Sequence, residues 1–573
     1  MRKIKACGFS FLLLVMAPLF VAPLLGAQEL NSVPLDHASY DIIEFGVIRG
    51  LVSPPPLAKP WSVRTVREKL WEMLDGPPGV LSPKEIEIID NVLDSLKGKS
   101  GLDLQRGKYR IEKDRLTFET GIGWESGFSV DFPYFARLKK DAEYSGEAFA
   151  SVNTAEIYAC GDLGAFFSWN VTALGELLGI GRYENDEPLA LPWSLSKGWD
   201  RGVISMREPG AYSAWPDDPA LAGSLLGEVN TASAGESLQL RLGRIRRDWG
   251  PQANGTSLFM NAQARPFLGF EWINSPVPWV YYYILLGGTE YYRESEEWPG
   301  NGPVSNTLAA AQFEINPVRF LHFGLGGSAV LQETLNTAVF TDIELRLPGI
   351  FKLWGSLFVD SLDSPNENFP LMNSNSYAWQ AGIKAAVNWL PFAAFTLRYT
   401  KIEPYCYTNP YEGRTRAWSP PDSGYFSGGE SLGYYLPPNS DELLLRFETR
   451  FFFDVKTYVQ YQAIRHGAEY GYGRVSGSSL TDVLADKNSQ KFFLMDGVYQ
   501  WDAVIKLGGS FTLKTGVLPL SVYAEAGLVN TRFTINGAAG PGREADYDFF
   551  SDSVYRAGNG FVFSAGFRLF SGI

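Results

Sequence analysis

The chain has 573 residues, of which 45% are hydrophobic and 14% aromatic, with 59 glycines. It carries 50 basic against 63 acidic residues, a formal net charge of −13. That balance argues against a nucleic-acid partner, whose phosphates need a basic surface, and the length exceeds one ordinary soluble domain.

Residues 1–27 read as a secretory signal peptide. Arg2, Lys3 and Lys5 form a positive start, an apolar run extends from about Phe9 to Leu25, and Leu25-Gly26-Ala27 is a small-residue cleavage site before Gln28. Removing it takes away three basic residues and leaves a net charge of −16. No cysteine follows the cleavage site, so a lipoprotein anchor is not expected. Cys160 and Cys406 lie far apart without CxxC spacing, and either pair in an oxidising compartment or stay as separate thiols. Beyond the signal there is no run of about 18 apolar residues, the length a membrane helix needs. The longest apolar stretch, Trp279 to Leu286, is tyrosine-rich and bounded by Pro278 and Gly287.

Residues 28–103 are expected to form a small helical domain in the periplasm. Ser39 to Gly50 is the first helix, with Ile42, Ile43, Phe45 and Val47 apolar. A break at Pro54, Pro55, Pro56 and Pro60 follows, and then a helix over Val63 to Leu74 with Val66, Leu70, Trp71 and Leu74 near a 3.6-residue period. Ser82-Pro83-Lys84-Glu85 is a capping box with proline at the first helical position. It opens a third helix with Ile86, Ile89, Val92 and Leu96 on one face.

From Leu116 the period becomes two. Leu238, Leu240 and Leu242 alternate with Gln239 and Arg241, and Ile343, Leu345 and Leu347 with Glu344 and Arg346. Leu443, Leu445 and Phe447 alternate with Arg446 and Glu448, and the last strand carries Phe561, Phe563, Ala565, Phe567 and Leu569 on one face. Strand segments of about 9–12 residues suit a tilted membrane crossing, and the chain is strands to its end. Residues 104–573 therefore read as an all-β transmembrane barrel; about 26 residues per strand and loop give about 18 antiparallel strands. Its expected partners are outer-membrane lipid and the barrel-assembly machinery, although Ile573 ends the chain where an aromatic is usual. The stretches 184–236, 293–306, 361–377, 407–440 and 466–490 read as long outer loops or lumen-filling segments.

Residues 243–266 contain Gly243-Arg244, Trp249-Gly250-Pro251, Ser257-Leu258, Asn261 and Arg265-Pro266. This resembles the Wzi-like capsule-assembly family of outer-membrane barrels. Asp248 stands where an aromatic is common, and Gln263-Ala264 lengthens the gap before Arg265. Phe313 to Pro317 with Leu321 to Leu325, Leu347-Pro348-Gly349, and Tyr399 through Leu432-Gly433 continue the likeness in order. The resemblance implies a lectin-like barrel that attaches capsular or related polysaccharide at the cell surface. The alternative is a general porin or channel for small solutes.

The residues themselves read two ways. Arg244, Arg246, Arg247 and Asp248 either contact an anionic sugar or form an ion-pair network in the interior. Trp249-Gly250-Pro251 either stacks on a sugar ring or makes a tight turn with an interfacial tryptophan. Tyr281, Tyr282, Tyr283, Tyr291 and Tyr292 are a carbohydrate platform or an aromatic girdle. Strand alternation puts Arg247 and Trp249 on one side, so these two are the expected polysaccharide-binding pair. Gly243, Arg244, Gly250, Pro251, Asn261, Arg265 and Pro266 are expected to be structural. No catalytic residue, cofactor or metal site is expected. His37, His322 and His466 are the histidines, none has a serine placed beside it, and with two cysteines they make no zinc pattern. Glu294, Glu296 and Glu297 read as solvated loop charge rather than a glycosidase pair. The protein is therefore expected not to be an enzyme.

Overall fold

The two-residue alternation becomes a wall with two chemically opposite faces. On the strand Leu335–Leu347, Leu335, Val339, Ile343, Leu345 and Leu347 are exposed, while Asn336, Asp342, Glu344 and Arg346 between them are buried. A water-soluble sheet would bury the leucines. Apolar residues outside and charges inside is the pattern of a strand with lipid on one side and a polar lumen on the other.

We analysed a computed structural model, which describes residues 30–96 and, interrupted at many connections, residues 109–569. The expected signal peptide, Arg265, Tyr291 and Tyr292 side chains, Glu294, Glu296, Glu297 and Ile573 lie outside the described residues. Eighteen strands form one closed antiparallel barrel, each paired with its neighbours in sequence. Closure comes from Gly558–Leu569 pairing with Leu116–Pro133. Strand lengths run from 8 residues at Leu238–Ile245 to 18 at Leu116–Pro133. The expected loop 184–236 is corrected in part: Ala220–Ala232 is a wall strand, with Leu225 and Val229 on its lipid face. Likewise 303–306 belongs to the strand Pro303–Val318. Both stretches are rich in small residues, which weakens the alternation signal.

The two ends of the barrel differ. Connections at one end are short, such as 278–279, 319–320 and 348–350, whereas 182–219, 403–439 and 468–496 leave from the other. Three helices sit at the short-turn end: α1 (Ala38–Arg49), α2 (Val63–Leu74) and α3 (Pro83–Ser95). His37, Ser62 and Ser82 cap them with side-chain acceptors, and Ser82 and Glu85 complete the capping box. Gly50 closes α1 at φ 73°, where a Cβ would also meet Pro348 Cβ at 2.8 Å. Only glycine satisfies both demands there.

The helices share a core, built around Tyr40, Ile43, Val66, Leu70 and Val92, into which Phe392 of a barrel turn also packs. Gly349 N–H donates to the Ile48 carbonyl at 2.9 Å. Two face assignments change. Ile86 and Trp71 are exposed, while Ile88 and Leu93 of α3 and Val63 and Met73 of α2 are buried. The Arg67 guanidinium covers the outer Trp71 ring at 5.1 Å, which shields part of its apolar surface.

Candidate functional site

The lumen is filled by the chain itself. After α1 the proline-rich segment turns into the barrel, where its backbone needs partners it cannot obtain from water. Ala58–Lys59 pairs as a short antiparallel strand with Asp248–Trp249. The Glu314 carboxylate of the wall accepts from Leu57 N at 2.8 Å and Ala58 N at 3.2 Å. Lys59 Nζ donates to the carbonyls of Gly250 and Gln252, both at 2.7 Å, and lies 3.8 Å from Asp248.

Two excursions from the wall meet this segment. The first, 246–266, lies between Leu238–Ile245 and Phe267–Val277; the second, 403–439, lies between Ala393–Ile402 and Ser440–Phe452. They are tied to each other: Asn261 N donates to Leu432 O at 3.0 Å, and Tyr407 Oη to Leu258 O at 2.8 Å. Around these ties Trp249, Phe259, Tyr407 and Tyr425 of the excursions pack on Phe340 and Phe358 of the wall. Phe259 stacks on Phe340 at 4.5 Å between centroids, and Phe358 tilts against Tyr407 at 4.8 Å. Met260, Tyr405 and Tyr407 hold φ values of 52°, 62° and 69°. Such left-handed conformations cost about 1 kcal/mol or more each for non-glycine residues, and persist where surrounding packing over-determines them.

A network of charges lines the wall around this aromatic centre. Arg241 lies 2.9 Å from Glu271 and 3.4 Å from Glu228. Arg247 also pairs with Glu271 and donates to the carbonyls of Ile245 and Phe267 at 3.0 Å and of Gly243 at 3.2 Å. His322 Nε2 sits 3.2 Å from Glu314, and Arg346 pairs with Glu344. Helix α1 joins the network through Glu44, which is 2.5 Å from Lys352 Nζ and 2.8 Å from Lys384 Nζ. Lys352 also donates to Pro251 O at 2.6 Å, and Lys384 reaches Glu448 at 2.8 Å. Burial alone would raise the Glu44 carboxyl; the two lysines beside it outweigh that and hold it below its ordinary value. Buried pairs of this kind add little net stability when intact, but losing one partner strands the other.

The expected polysaccharide pair lies inside this assembly. Arg247 and Trp249 are each 3% exposed. Arg247 spends its guanidinium on Glu271 and three carbonyls, with Phe267 under its face at 4.6 Å. Trp249 is neither on a sugar-facing surface nor at a membrane interface; it packs edge-on to Phe259 at 5.9 Å. As placed, neither meets a solute. Gly243, Gly250, Pro251 and Asn261 are buried, Arg244 and Pro266 half-buried. A Cβ on Gly243 would meet Glu228 Cβ at 2.7 Å, so the close approach of two strands uses that glycine. Asp248 accepts from Ser257 Oγ and faces Lys59.

The tyrosine run splits across the wall. Tyr283 is buried in the lumen core, whereas Tyr282 is exposed and tilts against Phe313 at 5.1 Å. It is not one platform. Cys160 and Cys406 are free thiols. His37 caps α1, and His322 and His466 are buried in the wall.

The sequence reading missed Glu44, Lys59 and Glu314 as joining residues. The inward charges of wall strands are visible as alternation, but nothing local says that an acid on a helix will meet them. Among the described residues no group of His, Cys, Asp and Glu could hold a metal ion.

No family model matches the chain, and no curated protein matches it in sequence. Its fold is similar to that of Wzi of Escherichia coli, an outer-membrane protein involved in group 1 capsule assembly and a carbohydrate-binding β-barrel. That likeness has a TM-score of 0.53 at 12% identity and covers 96% of this chain and 100% of that one. OccD3 of Pseudomonas aeruginosa aligns over 86% of this chain and 99% of its own, at 11% identity and a TM-score of 0.40. OprD of the same organism aligns over 82% and 98%, at 11% identity and a TM-score of 0.38.

Proposed function

We propose that this protein is an outer-membrane barrel that binds and retains a surface polysaccharide, in the manner of a Wzi-like lectin rather than a channel or an enzyme. The observation that carries this reading is the filled lumen. A general porin needs a water-filled path, whereas here the N-terminal segment and two excursions occupy the interior and are tied by the Tyr407, Asn261 and Lys59 hydrogen bonds. Similarity of the whole barrel to Wzi supports the same direction. The barrel sits with its long connections outside and its helices in the periplasm, because short turns face the periplasm in such barrels. Glycan contact then belongs to the long-loop end, and Arg247 and Trp249 serve by holding the excursion beneath it. Lipid and the barrel-assembly machinery are the other partners.

The experiment is deletion of the protein followed by measurement of cell-bound and released polysaccharide, paired with planar-bilayer conductance of the purified barrel. The reading expects glycan to move from the cell-bound to the released fraction, with no steady conductance. Unchanged attachment together with large steady conductance would replace it with the porin reading.

A further inference from the structure

The outward face of the wall is nearly free of charge. Along it from Pro303–Val318 round to Gly558–Leu569, the charged residues at outward strand positions, among the described residues, are Lys401, Asp441, Arg465 and Arg532. They are not scattered. Lys401 is directly opposite Asp441, Asp441 opposite Arg465, Arg465 opposite Trp501, and Trp501 opposite Arg532. One cross-strand row over five adjacent strands therefore holds three cations, one acid and a tryptophan.

Each member stands at the long-loop border of its strand's apolar run. Toward the short-turn end come Leu397, Leu443, Ile505 and Leu528, all exposed to lipid. The row thus lies where hydrocarbon gives way to headgroups. Its chemistry is more specific than an aromatic belt. Trp501 is 39% exposed, with the Arg465 guanidinium over its ring at 4.9 Å. Asp441 is covered: Arg465 Nε donates to it at 2.8 Å, and Tyr399 Oη at 2.8 Å. It fixes the guanidinium and leaves its outer edge outward. Lys401 lies 2.6 Å from Glu403 and 4.2 Å from the Phe493 ring centroid. Arg532 is exposed, and its Nε donates to Asn530 at 3.0 Å; among the described residues it has no carboxylate partner. Arg465 and Arg532 flank Trp501 two strand spacings apart, about 10 Å.

We infer that this row binds a phosphorylated glycolipid of the outer leaflet, with phosphates on Arg465 and Arg532 and a sugar ring against Trp501. Guanidinium forks suit phosphate oxygens, and an indole face offers an apolar platform. Cations on a lipid-facing wall carry a cost, which a bound phosphate offsets. In a chain of net charge −13 this is also a place where an anionic headgroup meets no general repulsion. The inference uses the outward orientation of the long-loop end and is independent of polysaccharide retention.

The test uses the purified, delipidated full chain with a bis-phosphorylated disaccharide glycolipid (lipid A), read by native mass spectrometry and titration. Parallel arms use dephosphorylated lipid A, phosphatidylglycerol vesicles and inorganic phosphate. Expected is binding of lipid A that Arg532→Gln or Lys401→Gln each weakens about tenfold, one charge-assisted contact apiece, while heat-modifiable gel mobility shows both variants folded. Both substitutions leave the Asp441–Arg465 pair in place. Equal binding of the dephosphorylated lipid, equal competition by phosphatidylglycerol or free phosphate, or wild-type affinity in both variants overturns the inference. A barrel that fails to insert in lipid would instead overturn the placement, and is seen separately in the gel.

Discussion

Glu44 sits on a helix, while its partners Lys352 and Lys384 come from neighbouring wall strands. Its carboxyl is held below the ordinary 4.5. A depressed folded value means that the stability it supplies is present above the unfolded value and is lost as pH falls through the folded one. Acidification well below 4.5 should therefore loosen α1 from the barrel, read as faster amide exchange over 38–49. Glu44→Gln should remove that pH dependence and cost about 3 kcal/mol by stranding buried ammonium groups. If exchange in the variant still accelerates with acid as in the wild type, the latch lies elsewhere. Trp249 gives a second residue-scale check. Trp249→Ala should cost about 3–5 kcal/mol through the cavity it leaves among Phe259, Phe340 and Tyr283. The heat-modifiable transition should move down accordingly. A variant with an unmoved transition that nonetheless loses glycan would restore Trp249 as a ligand contact.

At the scale of elements, the strand pair Ala58–Lys59 with Asp248–Trp249 is where the N-terminal segment grips the first excursion. Lys59 is its central tie, with two carbonyls at 2.7 Å and Asp248 at 3.8 Å. Lys59→Met keeps the aliphatic stem but leaves those acceptors unmet, at about 1–3 kcal/mol. The expected outcome is intermittent conductance in planar bilayers where the wild type is silent. A silent variant would mean that the second excursion, 403–439, alone closes the lumen. The helices were legible because caps and a 3.6-residue period are local: Ser82 and Glu85 form the box their spacing implies. The rotation of α3 was not, since Ile86 and Ile88 compete for the same face and only the docking surface selects Ile88.

For the whole molecule, an apolar outer face and a charged inner one require lipid around the wall. The purified product should fractionate with membranes and show folded and heat-denatured forms of different gel mobility. A product that folds in water without detergent would contradict the barrel reading.

Strand number and lipid-facing residues followed from the sequence, because alternation fixes which side chains share a face and chain length divided by a strand-plus-loop repeat fixes the count. The filling of the lumen did not. The same Trp-Gly-Pro stretch suits a turn, a sugar platform or a plug, and its local residues do not choose among them. The choice was made by partners distant in sequence: Ala58 for Trp249, Leu432 for Asn261, Glu271 for Arg247. The row from Lys401 to Arg532 has the same origin, since its members are separated in the chain and become neighbours only through strand register. Face is a local property of a strand; adjacency across strands exists only once the barrel has closed.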